Sequence, residues 1–353
     1  MTTTDVSVAE QLAGRLFTAG IGAFELTTAL LGDRLGLYRA LAEGPVTATG
    51  LAAATGTDER YVREWCEQQA VAGLIAVDDA AAAPHERRYA LLPGSEAVLI
   101  DELSPAYLVR LGEFVEAIGR VMPALQEAFR TGAGVPFGDY GVQHAQGALN
   151  RPVFANLLVQ EWLPQLPDVD ARLRAGAVVA EFGCGEGWAA IALAAGYPDV
   201  RVEGFDADPP SIEAARRHAE AAGVADRVRF TVADVAEVQG SYDAVFAFEV
   251  LHDLAHPVAA LAAARRITTG PVVVMDERVA EEFTVPGDDV ERFCYAASVL
   301  HCLPAGRGEP DSAATGTVMR PDTVRRYAAE AGFAGVAVLP IEHEMFRFYR
   351  LER

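Results

Sequence analysis

Apolar residues recur at helical spacing across ~10–43, where Leu16, Phe17, Phe24, Leu26, Leu30, Leu31, Leu35 and Leu37 follow a 3.6-residue period. Residues 47–56 read as a short helix closed by a glycine. Residues 58–75 read as a second helix that Thr57 or Asp58 can cap. Two short apolar runs, 74–77 and 88–92, flank a polar, alanine-rich loop like the strands of a wing. Helix, turn, helix and hairpin together outline a winged helix. Residues ~101–165 read as connecting helices. The run 136–141 breaks them, and Asn150-Arg151-Pro152 restarts a helix through Phe154, Leu157, Leu158 and Trp162.

Beyond ~170 the period changes. Strand-like and helix-like runs alternate at 177–182, 189–195, 200–205, 211–222, 228–232, 242–248, 257–267 and 271–276. That alternation predicts a parallel sheet with helices on both faces. The end of the chain departs from it. A helix over 321–331 is followed by strands from Gly335 and from Met345 with only a short connection, which is too short for a parallel crossover. The last strand should therefore enter antiparallel.

The strand at 177–182 runs directly into glycines 183, 185 and 187, and a helix opens at Trp188. A strand, a glycine turn and a helix N-terminus form a cradle for a nucleotide cofactor. The nicotinamide fingerprint needs a small residue at its sixth position, where this chain has Trp188. Three acids accompany the cradle. Glu181 stands two residues before Gly183, Asp206 ends the next strand 19 residues past Gly187, and Asp234 ends the third. Asp206 is placed to accept from ribose hydroxyls and Asp234 from an adenine amino group. A fourth strand ends at Phe248 and Glu249.

Glu-Phe-Gly-Cys-Gly-Glu-Gly, Gly-Phe-Asp, Ala-Asp-Val and Tyr-Asp-Ala-Val-Phe, in that order over ~170–275, resemble the successive motifs of class I S-adenosylmethionine-dependent methyltransferases. The winged-helix front end narrows the resemblance to small-molecule methyltransferases that dimerise through such a domain. The resemblance implies an α/β fold: a doubly wound, seven-stranded, mostly parallel Rossmann-like sheet, its last strand antiparallel, behind an N-terminal winged helix. It implies a dimerisation domain over 1–100, connecting helices that act as a substrate lid over 101–169, and a methyltransferase domain over 170–353. It assigns S-adenosylmethionine (SAM), with S-adenosylhomocysteine (SAH) as product, to Glu181, Gly183, Gly185, Gly187, Asp206, Ala207, Asp234, Val235, Phe248 and Glu249.

Methyl transfer from a sulfonium requires alignment and exclusion of water, and a phenol or similar acceptor also needs a proton removed. The resemblance assigns that base to His252, nine residues after Asp243, with Asp276 or Glu277 orienting the ring. The family follows its His-Asp pair with tryptophan, whereas this chain continues Leu254-Ala255-His256. Asp253 reads as the N-cap of a following turn. Tyr140, His144, Trp162 and His301 are candidate acceptor contacts, with Phe293 and Tyr295 beside them. Cys294, His301 and Cys302 lack a second tight pair, so no metal is expected.

Composition limits the partners. The 353 residues include 51% apolar positions and carry a formal charge of −21. No apolar run reaches the ~18–20 residues of a membrane helix. Residues 1–6 show no basic stretch leading into an apolar one, so no export leader is expected, and the four scattered cysteines read as reduced cytoplasmic thiols. All 29 basic residues are arginine, which excludes a pyridoxal-phosphate aldimine and a P-loop lysine. Residues 1–100 hold thirteen acids and seven arginines, and the second helix of the front end four acids and two arginines. That is the wrong sign for reading DNA.

The expected protein is a cytoplasmic homodimer that methylates a small organic acceptor at oxygen, with no nucleic-acid or membrane partner. N- or C-methylation without an essential base is an alternative. A SAM-sensing winged-helix regulator is another, and would show salt-sensitive DNA binding.

Overall fold

The computed structural model describes residues 7–353, so the expectation drawn from residues 1–6 lies outside it. The chain divides into two compact units, one ending at Ala117 and one beginning at Ile118.

In the first unit, α1 (Val8–Arg34) starts in a capping box, in which Ser7 and Glu10 satisfy each other's backbone N–H groups. It is followed by α2 (Leu37–Leu41), β1 (Val46–Thr47), α3 (Ala48–Thr55) and α4 (Glu59–Val71). Asp58, rather than Thr57, caps α4 by accepting from the N–H groups of Arg60 and Tyr61. The wing is β2 (Ile75–Val77) and β3 (Arg88–Leu91), with β1 pairing on the far side of β3. A short helix, α5 (Glu96–Leu99), closes the unit. Leu30, Tyr38, Leu51, Val62, Trp65, Ile75 and Tyr89 form its core. That core takes only the C-terminal part of the α1 apolar stripe, because Leu16, Phe17 and Phe24 are each more than 70% exposed.

The helix α6 (Leu111–Thr131) carries the chain into the second unit. There α7 (Phe137–Tyr140) and α8 (Gln143–Val153) precede a π-helical stretch, Phe154–Trp162. Pro152 therefore lies inside a continuous helix, not at a new start. It has no N–H to donate, so the ladder is interrupted there and the backbone widens into the π stretch that follows. The helix α9 (Pro167–Arg174) leads into the sheet.

The sheet contains β4 (Val178–Phe182), β5 (Arg201–Asp206), β6 (Val228–Val232), β7 (Ala244–Phe248), β8 (Val272–Glu277), β9 (Gly335–Val338) and β10 (Phe346–Glu352). Its order is β6-β5-β4-β7-β8-β10-β9. The strands β4 to β8 pair in parallel, whereas β10 runs antiparallel to both β8 and β9, as the short final connection requires. The helices α10 (Trp188–Gly196), α11 (Pro209–Ala221), α12 (Pro257–Ile267), α13 (Asp289–Ala297), α14 (Leu303–Gly306) and α15 (Pro321–Glu330) fill the connections. Alternate residues of each strand serve opposite faces. Val179, Phe246, Met275 and Phe348 join one core, and Ala180, Val245, Val274 and Tyr349 the other. Among the described residues no helix is long and apolar enough to cross a membrane.

Candidate active site

Strand order reverses between β4 and β7: the chain adds β5 and β6 on one side of β4, then returns to place β7 on the other. Ligands of open α/β sheets bind in the crevice outside the carboxyl ends at such a point. A cavity of about 370 Å³ lies there. Its lining includes Glu181, Gly183, Gly185, Asp206, Ala207, Phe248, Glu249 and Asp253.

Each wall follows from its strand. Glu181 is one pleat beyond Val179 on the same face of β4. It is only 3% exposed, and its Oε2 has no hydrogen-bond partner. Burial, with a contribution from Asp206, pushes its carboxyl up to about 8. Gly183 has φ +65°, and a Cβ there would lie 2.1 Å from Val250 Cγ2, so only glycine permits the turn. Asp206, at the end of β5, accepts from the N–H of Gly185 at 2.8 Å and of Asp208 at 2.9 Å, which ties the glycine loop to the neighbouring strand. Burial raises its carboxyl above the usual range. Glu249 holds φ +55° at the end of β7, a left-handed backbone that costs a non-glycine residue roughly 1–3 kcal/mol. Burial pushes its carboxyl up to about 7.

The remaining predicted donor-site residues are distributed differently. Gly187 lies behind the loop, where a Cβ would meet the Phe230 ring at 2.5 Å, and it opens α10. Asp234 is exposed, caps a 3-10 turn by accepting from Ala236, and with buried Val235 is absent from the cavity lining.

His252 follows β7, and the next strand, β8, brings Asp276 and Glu277 to it. The ring is 2% exposed. Its Nδ1 lies 2.8 Å from Asp276 Oδ1 and 3.1 Å from Glu277 Oε2, and Nε2 lies 3.2 Å from Asp253 Oδ1. Burial opposes protonation of the ring, but the three carboxylates outweigh it and hold the imidazolium well above the usual histidine range. In return the imidazolium overcomes the burial of Asp253 and Asp276 and holds both below the carboxylate range, whereas Glu277, buried beside Asp276, is pushed up. Asp253 is not the cap expected of it. The N-cap position of α12 is His256, and Asp253 lines the cavity with Nε2 of His252 behind it.

The candidate acceptor contacts do not form one wall. Tyr140 and His301 are buried against each other at 4.6 Å between ring centroids, and the Tyr140 hydroxyl donates to the Leu300 carbonyl. Burial lowers the His301 imidazole below its usual range. His144 lies at the surface, 3.5 Å from Glu186 Oε2. Trp162 is a core residue wedged against Phe348, where the π stretch turns it onto the sheet, and it does not line the cavity. Phe293 and Tyr295 are exposed.

Sequence reading missed one whole wall: Gln143, Gln146, Gly147 and Asn150 on α8. Gly147 carried the signal, since a Cβ there would meet Glu186 Oε2 at 2.6 Å. It also missed Trp188 as a lining residue, where the indole stacks on His218 at 4.2 Å and has the Arg151 guanidinium over its ring at 4.6 Å.

Residues 179–269 match the family described as a methyltransferase domain, and residues 22–100 match the Rv2258c-like winged HTH domain. A stretch of 85 residues, 23% of this chain, is 40% identical to 27-O-demethylrifamycin SV methyltransferase of Amycolatopsis mediterranei (strain S699) and spans 31% of that protein's length. Among solved structures, the mitomycin 7-O-methyltransferase MmcR is 22% identical, covering 98% of this chain and 100% of its own, with a TM-score of 0.68. PigF with SAH is 17% identical over 99% and 100% at a TM-score of 0.72. Human N-acetylserotonin methyltransferase in complex with SAM is 16% identical over 100% and 99% at 0.67. The chain thus joins a stretch that matches a methyltransferase domain to one that matches a winged HTH domain, and over its whole length it shares the fold of these solved methyltransferases.

Proposed function

We propose that this protein transfers the methyl group of SAM to an oxygen of a small organic acceptor. The observation that carries the reading is Glu181: a buried carboxylate with an unpartnered oxygen at the rim of a glycine turn, next to a loop that Asp206 ties down. An unpaired buried acid is costly unless a ligand supplies its partner. The ammonium group of SAM is such a partner. Gly183 and Gly185 bring backbone against the donor, Asp206 and Ala207 meet the ribose, and Phe248 and Glu249 close the side beneath the sulfur. Gly187 holds the loop to α10. In this reading the turn after β6, with Asp234 and Val235, borders the adenine side of the donor.

SAM supplies a methyl group already activated on a sulfonium. The protein's part is to align, to keep water out and to take the acceptor's proton. His252 takes it at Nε2, and Asp253, on the cavity wall and in contact with Nε2, is the path by which the proton arrives. Asp276 and Glu277 fix the ring through Nδ1 and stabilise the cation that results. In this reading α8, with Tyr140 and His144 of the same 101–169 connection, lies on the acceptor side, His301 reaches Tyr140 from the turn after α13, and Trp162 supports the region from the core. The mitomycin protein is named an O-methyltransferase and the rifamycin one a methyltransferase of 27-O-demethylrifamycin SV, which favours oxygen as the methylated atom.

The 1–100 domain is read as a dimerisation element, not a DNA reader. Its α4 arginines are engaged by neighbouring acids, Arg60 with Glu64 at 2.5 Å and Arg63 with Glu59 at 3.5 Å. A cytoplasmic location is part of the same reading. Transfer of label from methyl-labelled SAM to a panel of phenols tests it. Wild-type protein should label at least one phenol, and His252→Gln should lower its turnover about 10²–10⁴-fold. Unchanged turnover in that variant would remove the base.

A further inference from the structure

We propose that His252 Nε2, Asp253 and Cys302 form a binding site for one zinc-type divalent ion on the wall of the crevice. The three ligand atoms lie within 4.8 Å of one another. Nε2 and Asp253 Oδ1 are 3.2 Å apart, close to the about 3.4 Å that separates two ligands of a tetrahedral ion at zinc bond lengths. The set is one nitrogen, one oxygen and one sulfur, which suits a borderline-soft metal and not calcium or magnesium.

The surroundings are those of a metal ligand. His252 presents its other nitrogen to Asp276 at 2.8 Å, the carboxylate-histidine arrangement that fixes the tautomer and leaves Nε2 as the ligand. The sulfur is also approached from outside the set, by His301 Nδ1 at 3.4 Å. The three ligands arrive on two pieces of backbone: the loop after β7 gives His252 and Asp253, and the π-helical turn Ser298–Cys302 gives the thiol. Because Asp253 lines the cavity while His252 and Cys302 are buried, an ion bound here keeps its open position toward the crevice. Three protein ligands and one open position are the pattern of an accessible site, not a closed structural one.

The charges balance. On binding, Cys302 and the His252 imidazolium each give a proton to solvent, the thiolate and Asp253 bring two negative charges, and the now neutral His252 donates the Nε2 lone pair. A dication then sits in a neutral cluster. The consequence for catalysis rests on the reading of His252 as base. The ion and the acceptor's proton compete for the same lone pair, so zinc inhibits.

Cobalt(II) titrated into the metal-free full chain is the direct probe. One equivalent should bind and give a thiolate-to-cobalt charge-transfer absorption that added zinc abolishes. Cys302→Ser should lose that absorption and bind zinc at least tenfold more weakly, while Cys66→Ser, which alters a buried thiol of the other unit, should keep both. SAH affinity measured on Cys302→Ser reports whether the variant folds. Absence of the band in wild-type protein, or its persistence in a folded Cys302→Ser protein, overturns the site. If the band behaves as expected and one equivalent of zinc leaves methyl transfer unslowed, the site stands and the assignment of Nε2 as base falls.

Discussion

At the residue scale, the site sets several ionisable groups against their ordinary behaviour, and each shift has a testable sign. Glu181 is pushed up to about 8, so at pH 6 it is protonated when no ligand is bound. Pairing with the donor's ammonium requires the carboxylate, so binding must release that proton. SAH affinity should rise about tenfold per pH unit from 6 toward 8 and then level, and Glu181→Gln should flatten the profile. Calorimetry at pH 6, 7 and 8 checks this. His252 is shifted up by three carboxylates against its burial. A base works only when deprotonated, so turnover should climb with pH along a limb that lies above 6.5. Asp276→Asn removes one of those carboxylates, and the limb should move to lower pH while maximal turnover falls. A limb that stays in place would mean that the ring is not the titrating group. The sequence placed Glu181, Asp206 and His252 by motif and strand ending. It could not place Asp253 with Cys302, because contacts across 49 positions leave no local pattern.

At the element scale, the alternation of strand and helix made the sheet legible, including the reversed last strand. Buried β-branched runs and glycine stops mark strands of a parallel sheet clearly. The α8 wall of the cavity did not announce itself, because it presents Gln143, Gln146, Gly147 and Asn150, a composition that elsewhere marks a solvated surface. Trp162 misled for the opposite reason: an aromatic beside a predicted pocket is as often core, and here the π stretch turns it onto β10. The glycine loop gives a contrast to test. Gly183→Ala meets Val250 at 2.1 Å and a positive φ, so it should cost about 1–3 kcal/mol of stability and most SAH binding. Gly185→Ala has the strained φ but nothing within 4 Å of its Cβ, so its thermal midpoint should fall less. Equal losses in the two variants would show that backbone strain alone, and not the fit against Val250, sets the turn.

At the scale of the whole molecule, α1 displays an apolar stripe that its own unit does not cover. Val8, Leu12, Leu16, Phe17, Ile21 and Phe24 are all exposed, with Phe17 at 72% and Phe24 at 76%. Monomers rarely carry such a contiguous apolar surface, and the dimerisation proposed for this domain would cover it with a second copy. Light scattering should give twice the mass of one chain for the wild type, and one chain's mass for Phe17→Asp/Phe24→Asp. A monomeric wild-type protein would contradict the dimer. The periodicity of these residues was legible in the sequence, but not that they point away from their own core, because a helical stripe looks the same whether it faces its own domain or a partner.

Everything proposed for this chain depends on the carboxyl edge of β4 and β5 holding the donor. Isothermal titration of SAH into wild-type protein and into Asp206→Ala tests that most directly. Wild-type protein should bind one equivalent per chain, and the variant should bind about 10–100-fold more weakly, the loss expected for one or two hydrogen bonds to a charged group. No binding by folded wild-type protein, or equal affinity in the two, would contradict the assignment.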